Sequence, residues 1–416
     1  MARAAYKPPE RHNFLIARYF ARQEFDECLE VVETALEEES GGLNEYPLTV
    51  KAMILRQQGR IQESLQLFQA ATCLNPGNIA NLKQVGHSLY LLGKHKAALD
   101  VYGEASDVVV VANSAARSEV DWEIHHNSGL CHAHLKQYEE AIACFTRANA
   151  ICRHDDTFLQ LGKVYQQQDR HADALRVYQD ALDFSPENPE LLCMVGLTYL
   201  RLDDHQRAFD YLGNALAFDP KNAKAILAAG SIIQDNGEMD VALHKYRVAA
   251  ATQAPHSPQL WNNIGMALFG KGKRVAAVSC LKRALYLDPF EWIIAYNLGL
   301  VHLHTAQFAS AFHHLSASIN LKPDYAATFM CLGIALANLD DPGNAVDAFK
   351  KSLSLEDAHL TRLNFALVLF NQGRHSDAKS HLDAFTKLAS ALDATDDLHA
   401  DTFDRATVLD SMLSSS

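Results

Sequence analysis

The feature that most constrains this chain is a thirty-four-residue repeat that keeps its register along most of the sequence. The segment that starts at Asp155 places Phe158, Leu161, Gly162, Tyr165, Ala174, Tyr178, Ala181 and Pro186 at positions 4, 7, 8, 11, 20, 24, 27 and 32. The segment from Pro189 places Leu192, Val195, Gly196, Tyr199, Ala208, Leu212, Ala215 and Pro220 at the same positions. The segment from Pro258 gives Trp261, Ile264, Gly265, Leu268, Ala277, Leu281, Ala284 and Pro289. Units begin near residues 9, 45, 79, 122, 155, 189, 223, 258, 292, 326 and 359. A register kept this long marks a repeat architecture.

Each position has a physical reason. The apolar residues recur at three and four, which builds one helical stripe. Gly or Ala at position 8 and Ala at position 20 let the two helices of a unit cross closely. Gly59, Gly93, Gly237, Gly272 and Gly373 fall at position 15, the turn between helices, where positive φ is needed. Pro76, Pro186, Pro220, Pro289 and Pro323 fall at position 32 and stop the second helix. This is the tetratricopeptide (TPR) pattern. One helix pair cannot bury its stripe alone, so neighbours must stack. The expected fold is all-α, a TPR superhelical solenoid of about eleven helix-turn-helix repeats.

The organisation follows from where the period holds. Residues 1–44 form an N-terminal extension and a degenerate capping repeat, with Cys28 and Val32 at positions 20 and 24. Residues 45–105 carry repeats two and three. The interval between the units at 79 and 122 is nine residues too long, so 106–121 reads as an irregular insertion, an extended second helix or a surface loop. Residues 122–392 carry repeats four to eleven. Residues 393–416 form an acidic tail around an amphipathic stretch, Phe403–Leu413, expected to cap the last repeat.

Composition narrows the function. A net charge of -13 argues against nucleic acid as a partner. The longest apolar run, Val108–Ala112, is far short of a membrane span, so no direct membrane insertion is expected. No secretory leader pattern opens the sequence, and the eight cysteines, with no C-x-x-C pair, read as reduced buried thiols of a cytosolic protein.

Several patterns imitate chemistry. Gly265 to Lys271 spells G-x-x-x-x-G-K, but Gly272 follows where Ser or Thr is required, no strand precedes it, and Gly265 lies inside a first helix. His125 and His132 share a helix face but stand seven residues apart, about 10.5 Å of rise, too far to share a metal. No catalytic motif is present, and no enzyme, cofactor or metal is expected. Asn127, Asn263, Asn297 and Asn364 occupy position 6, where some TPR proteins hold the acidic C-termini of chaperones. The rest of that clamp is broken: around Asn127, Lys83 fits, but His87, Asp156 and Gln160 replace the other partners.

Partners are expected on the first-helix positions 2, 5, 9 and 12, which face the hollow of a TPR superhelix. The early units present Lys83, His87, Asp156, Leu159 and Lys163. The unit at 258 presents Asn262 and Met266. Later units present Tyr296, Leu300 and Leu303, then Met330 and Ile334, then Leu363, Leu367 and Phe370. The face turns from polar to apolar along the chain. A continuous apolar strip is rare on a free surface. A partner's helix or extended segment is expected to fill it; the bland alternative is burial by winding of the chain itself.

The stretches Ile61–Gln69, Asn81–Leu99, Ala215–Val248, Leu260–Phe290 and Tyr296–Asn320 include residues that the repeat pattern does not dictate. Through them the chain resembles the Bardet–Biedl syndrome 4 family, TPR subunits of the ciliary coat complex called the BBSome. The resemblance spans roughly residues 50–385. The Val108 insertion departs from it, as does the lack of the low-complexity C-terminal tail of some relatives. It implies a non-catalytic scaffold in a complex that carries membrane proteins to and from cilia. Implied partners are the other BBSome subunits, including a small extended subunit in the groove, with pericentriolar material protein and dynein–dynactin as further contacts. Implied locations are cytoplasm and cytoskeleton, cilium, basal body, centrosome and centriolar satellites. The competing expectations are a scaffold subunit of a cell-cycle ubiquitin ligase, a chaperone cofactor and, disfavoured for want of a catalytic domain, a TPR-bearing glycosyltransferase.

Overall fold

A computed structural model of the chain describes residues 12–38, 44–113, 121–252, 256–389 and 397–415. The remainder, with the first eleven residues, much of the expected insertion and the start of the acidic tail, lies outside the described residues. The described residues are all-helical and contain no strand. The fold is a TPR solenoid.

The chain divides into two compact units, 1–204 and 205–416. The first carries α1 (Asn13–Ala21), α2 (Phe25–Glu38), α3 (Glu45–Gln57), α4 (Ile61–Leu74), α5 (Ile79–Leu91), α6 (His95–Asn113), α7 (Trp122–His134), α8 (Tyr138–Ile151), α9 (Asp155–Gln167), α10 (His171–Leu182) and α11 (Pro189–Arg201). The second carries α12 (His205–Phe218), α13 (Ala223–Asp235), α14 (Met239–Thr252), α15 (Pro258–Gly270), α16 (Arg274–Leu287), α17 (Trp292–His304), α18 (Phe308–Leu321), α19 (Ala326–Ala337), α20 (Pro342–Leu355), α21 (His359–Asn371), α22 (His375–Ala389) and α23 (Asp397–Ser415). Within each unit every helix packs against its chain neighbours, and first helices also touch the first helix of the next repeat.

Helix starts are written in the sequence. The side chains of Asn78, Asp121, Asn188, Asn222 and Ser257 accept a hydrogen bond from a first-turn backbone N–H of α5, α7, α11, α13 and α15. Stops follow a stricter rule than the glycines alone reveal. Position 15 is left-handed in all eleven units: Gly59, Gly93, Gly237, Gly272 and Gly373 at φ 71 to 83°, and Gln23, Lys136, Asp169, Asp203, Ala306 and Asp340 at φ 55 to 61°. The next residue donates its N–H back to position 11, as Lys94 does to the carbonyl of Leu89 at 2.9 Å and Gln307 to that of His302 at 2.9 Å. This Schellman closure satisfies carbonyls that the helix end leaves free. It forces the reversal even where no glycine relieves the backbone.

The core repeats as well. Position 24 carries Phe68, Tyr102, Phe145, Tyr178, Tyr246 and Phe349, all fully buried. Each such apolar ring contributes about 1.5–3 kcal/mol by leaving water. Room comes from position 8. A Cβ on Gly162 would stand 2.2 Å from the Tyr178 ring; on Gly230, 2.4 Å from Tyr246; on Gly86, 2.6 Å from Tyr102; on Gly129, 2.8 Å from Phe145. Gly265 and Gly299 bear the same relation to Leu281 and Leu315. The first repeat reverses the sizes, with Ile16 at position 8 and Val32 at position 24, both buried.

Helix α6 continues to Asn113 and so enters the expected insertion. Helix α23 buries Ala406 and Leu409 against Leu363, Ala366, Leu382 and Phe385. All eight cysteines are free, but only Cys28, Cys131, Cys193 and Cys331 are buried; Cys144 and Cys280 are half-buried, and Cys73 and Cys152 are exposed. No described helix is long and apolar enough to cross a membrane.

The Gly162 contact yields a direct test. Gly162→Ala is expected to lower stability by about 1–3 kcal/mol through overpacking, read as a lower urea midpoint. Adding Tyr178→Val, which borrows the small partner of the first repeat, is expected to cost less than the sum of the two single changes.

Candidate functional site: the first-helix face

The first helices are joined to one another by polar side chains at the positions expected to meet partners. Lys83 on α5 reaches the next repeat, with its Nζ 2.7 Å from Asp121 Oδ2 and 2.5 Å from Glu123 Oε2. Burial works against its charge, yet the two carboxylates outweigh burial and hold its pKa above the ordinary lysine value. His126 Nδ1 lies 2.9 Å from Thr157 Oγ1, and Gln166 donates to Thr198 Oγ1 at 2.9 Å. In the second unit Asn297 donates to Asn262 Oδ1 at 2.9 Å, and Asn364 points at Met330 Sδ, 3.6 Å away. The position-6 asparagines Asn297 and Asn364 therefore contact the preceding repeat's position 5. Lys83 and Asn262 spend their polar groups on joining repeats, so neither is a spare contact.

Burial sorts the remaining expected residues. Leu159 and Leu363 are 3% and 1% exposed and belong to the core, a correction to their place in a groove. Leu363 lies among Leu382, Phe385 and the α23 residues Ala406 and Leu409. Tyr296, Leu300, Leu303 and Met330 are half-buried against Ala311, Leu315, Cys331 and Ala335. The Tyr296 ring meets Tyr325 edge-on at 5.4 Å, and burial, with Cys331 beside it, pushes its hydroxyl pKa up. Met330 and Ile334 also rest on Phe349, Phe365 and Leu369. Leu367 and Phe370 rest on the last repeat's core, joined by Leu413 of α23. His87 stacks on Tyr90, Met266 lies against Leu281 and Leu298, and Lys163 is half-buried. Of the expected residues only Asp156 is exposed.

Two concave places form on this face, one in each unit. In the first unit Tyr90, Leu130, Ala133, His134, Phe145, Gln160, Lys163, Val164 and Gln167 line a cavity of about 320 Å³. In the second unit Leu367, Phe370 and Asn371 face Asp404, Arg405, Val408, Leu409 and Met412 across a cavity of about 370 Å³. Val408 and Met412 are about half exposed, so the apolar strip continues onto α23. The sequence reading missed Tyr90, His134, Gln160, Gln167, Val408 and Met412. Tyr90 sits at position 12 and was legible from the same rule; positions 6 and 13 border the face, and the amphipathic pattern of Phe403–Leu413 carried the last two.

The histidines are packing elements. His132 Nδ1 lies 2.9 Å from Gln137 Oε1, and Tyr90 Oη lies 2.8 Å from His134 Nε2, which stacks on His95 at 4.8 Å. No described group of three His, Cys, Asp or Glu residues could hold a metal ion. Gly265 lies within α15 and Gly272 in the turn after it, so the G-x-x-x-x-G-K pattern is helix and hairpin.

Family models described as "Tetratricopeptide repeat" match residues 123–187, 159–223 and 258–291. A protein of Mus musculus called "BBSome complex member BBS4" is 50% identical over 384 residues, which is 92% of this chain and 72% of that protein. The "BBSome complex member BBS4 homolog" of Drosophila melanogaster is 33% identical over 414 residues, covering 94% of this chain and 83% of that protein. A solved chain of the APC/C hetero-tetramer Cut9–Hcn1 superposes with a TM-score of 0.50 at 16% identity over 97% of both chains, a likeness of fold alone.

The histidine packing predicts a pH response of the second unit. His314 stacks on His302 at 5.5 Å and lies 5.1 Å from His313. Burial first, then His302, His313 and Lys282, pushes its pKa down to about 4 from the ordinary 6.5. Between these values the unfolded chain binds more protons than the folded one. Stability is therefore full above pH 6.5 and falls as pH drops toward 4. His314→Phe is expected to flatten that fall in melting temperature across this window, and an unchanged slope would reject the assignment.

Proposed function

The chain belongs to the BBS4 family of BBSome complex members, and from that premise we propose that it is a non-catalytic TPR scaffold holding other BBSome subunits on its first-helix face. The observation that carries this reading is that identity near 50% runs through over nine-tenths of the chain, across the repeat array. The half-buried apolar residues Leu300, Leu303, Met330, Ile334, Leu367 and Phe370 support it. They form a strip that adjacent repeats cover only in part, the kind of surface a partner's helix or extended segment completes.

In this reading the occupant of the apolar strip is a small extended subunit of the complex. The complex works as a coat-like assembly that carries membrane proteins to and from cilia. The chain itself acts in the cytoplasm and on the cytoskeleton, at the cilium, basal body, centrosome and centriolar satellites. Pericentriolar material protein and dynein–dynactin are its further contacts. The protein reaches membranes through these partners.

Affinity purification of the full chain from ciliated cells is expected to recover other BBSome subunits in near-equal amounts. Leu300→Asp with Ile334→Asp is expected to reduce that recovery at least roughly ten-fold, since a buried unpaired charge costs several kcal/mol. Circular dichroism of the variant checks that the helices remain. Recovery of chaperones or ubiquitin-ligase subunits alone would reject the reading.

A further inference from the structure

The first unit's cavity differs in chemistry from the apolar strip of the second. Two of its walls are amides, Gln160 and Gln167, and one is the half-buried cation Lys163, all on α9. The opposite wall is Tyr90 and His134, joined by their 2.8 Å hydrogen bond. Leu130, Ala133, Phe145 and Val164 form the floor. The chain as a whole is acidic, with fifty Asp and Glu against thirty-seven Lys and Arg. Yet no carboxylate lines this cavity. The acid on the same helix face, Asp156, stands seven residues from Lys163, about 10.5 Å along the axis and near one Debye length.

Lys163 is also unlike the other lysine expected on this face. Lys83 is held by two carboxylates of the next repeat. Lys163 has no ion pair or hydrogen bond among the described residues. Lys163 thus brings to the cavity a positive charge that no described side chain pairs, and a carboxylate is its natural complement. Gln160 and Gln167 add neutral donors to the same lining, and its apolar residues lower the local dielectric, which strengthens a charge-assisted bond.

We propose that this cavity is a recognition site for an acidic segment of a partner polypeptide, with a Glu or Asp carboxylate seated on Lys163 between Gln160 and Gln167. The inference rests on the scaffold reading and sharpens it: the first unit selects by charge, the second by apolar contact. The concave, walled shape with an apolar floor favours a peptide side chain over a flat anionic membrane.

The probe is a short fluorescein-labelled peptide that alternates Glu with Leu, compared with its Gln-for-Glu counterpart, titrated against the full chain by fluorescence anisotropy. The Glu peptide is expected to bind roughly ten-fold tighter than the Gln peptide, a preference that weakens with salt. Lys163→Glu is expected to erase the preference. Lys163→Arg is expected to retain most of it, and Val275→Ser, at an exposed position on α16, to leave it unchanged. Vesicles rich in phosphatidylserine are expected not to compete. Equal affinity for both peptides, no measurable binding of the Glu peptide, a preference that survives Lys163→Glu, or displacement by the vesicles would each overturn the proposal. If the wild-type chain still recovers BBSome subunits while the preference is absent, the charge site fails and the scaffold reading stands. If recovery fails as well, the scaffold reading is itself at fault.

Discussion

The structure depends on one contact, repeated: the side chain at position 24 laid on the bare backbone at position 8. Tyr178 against Gly162 shows its tolerance, since an added methyl carbon would sit 2.2 Å from the ring. That closeness fixes how the two helices of a unit cross. The left-handed residue at position 15 fixes where the chain turns, and the Schellman bonds make the turn the same in every repeat. Crossing and turn together let both helices of a unit fill the core while one side of the first helices forms the other face. The geometry of the functional surface thus follows from these packing and turn positions.

That face serves two purposes. Part of its chemistry joins repeat to repeat, as in Lys83 with Asp121 and Glu123, His126 with Thr157, Gln166 with Thr198, and Asn297 with Asn262. Part is left over. In the first unit the remainder is polar and cationic around Lys163. In the second it is apolar and extends from Tyr296 to Phe370 and on to Val408 and Met412 of α23. A scaffold that grips one partner region by charge and another by apolar burial fixes both its register and its affinity. Charge pairing contributes selectivity, and apolar burial contributes most of the free energy.

The repeat count, the helix pairing and the turn positions were legible because each rests on local sequence: a glycine, a proline or an alanine at a fixed offset. The left-handed state of Lys136 and Ala306 was hidden, because their side chains give no sign of it; only the register reveals it. The inner-face residues were legible as positions but not as surfaces. Leu159 and Leu363 obey the same offset rule as Lys163, yet both are buried, Leu363 with Ala406 and Leu409 of α23. Exposure depends on the distance between repeats, which no single repeat encodes. The pairing of Tyr90 with His134 was illegible for the same reason, as it joins residues forty-four apart on different helices. Helix α23 was read as a cap from its amphipathic pattern, and its contribution of Val408 and Met412 to a cavity wall needed its docking angle.

The central claim is that partners seat on the first helices. A cryo-electron microscopy map of the assembled complex containing this chain tests it most directly. The account predicts partner density along the exposed sides of α7, α9, α17, α19 and α21, with a side chain near Lys163 and another polypeptide over Leu300 and Ile334. Partner density confined to the second helices, with the first-helix faces open to solvent, would contradict it.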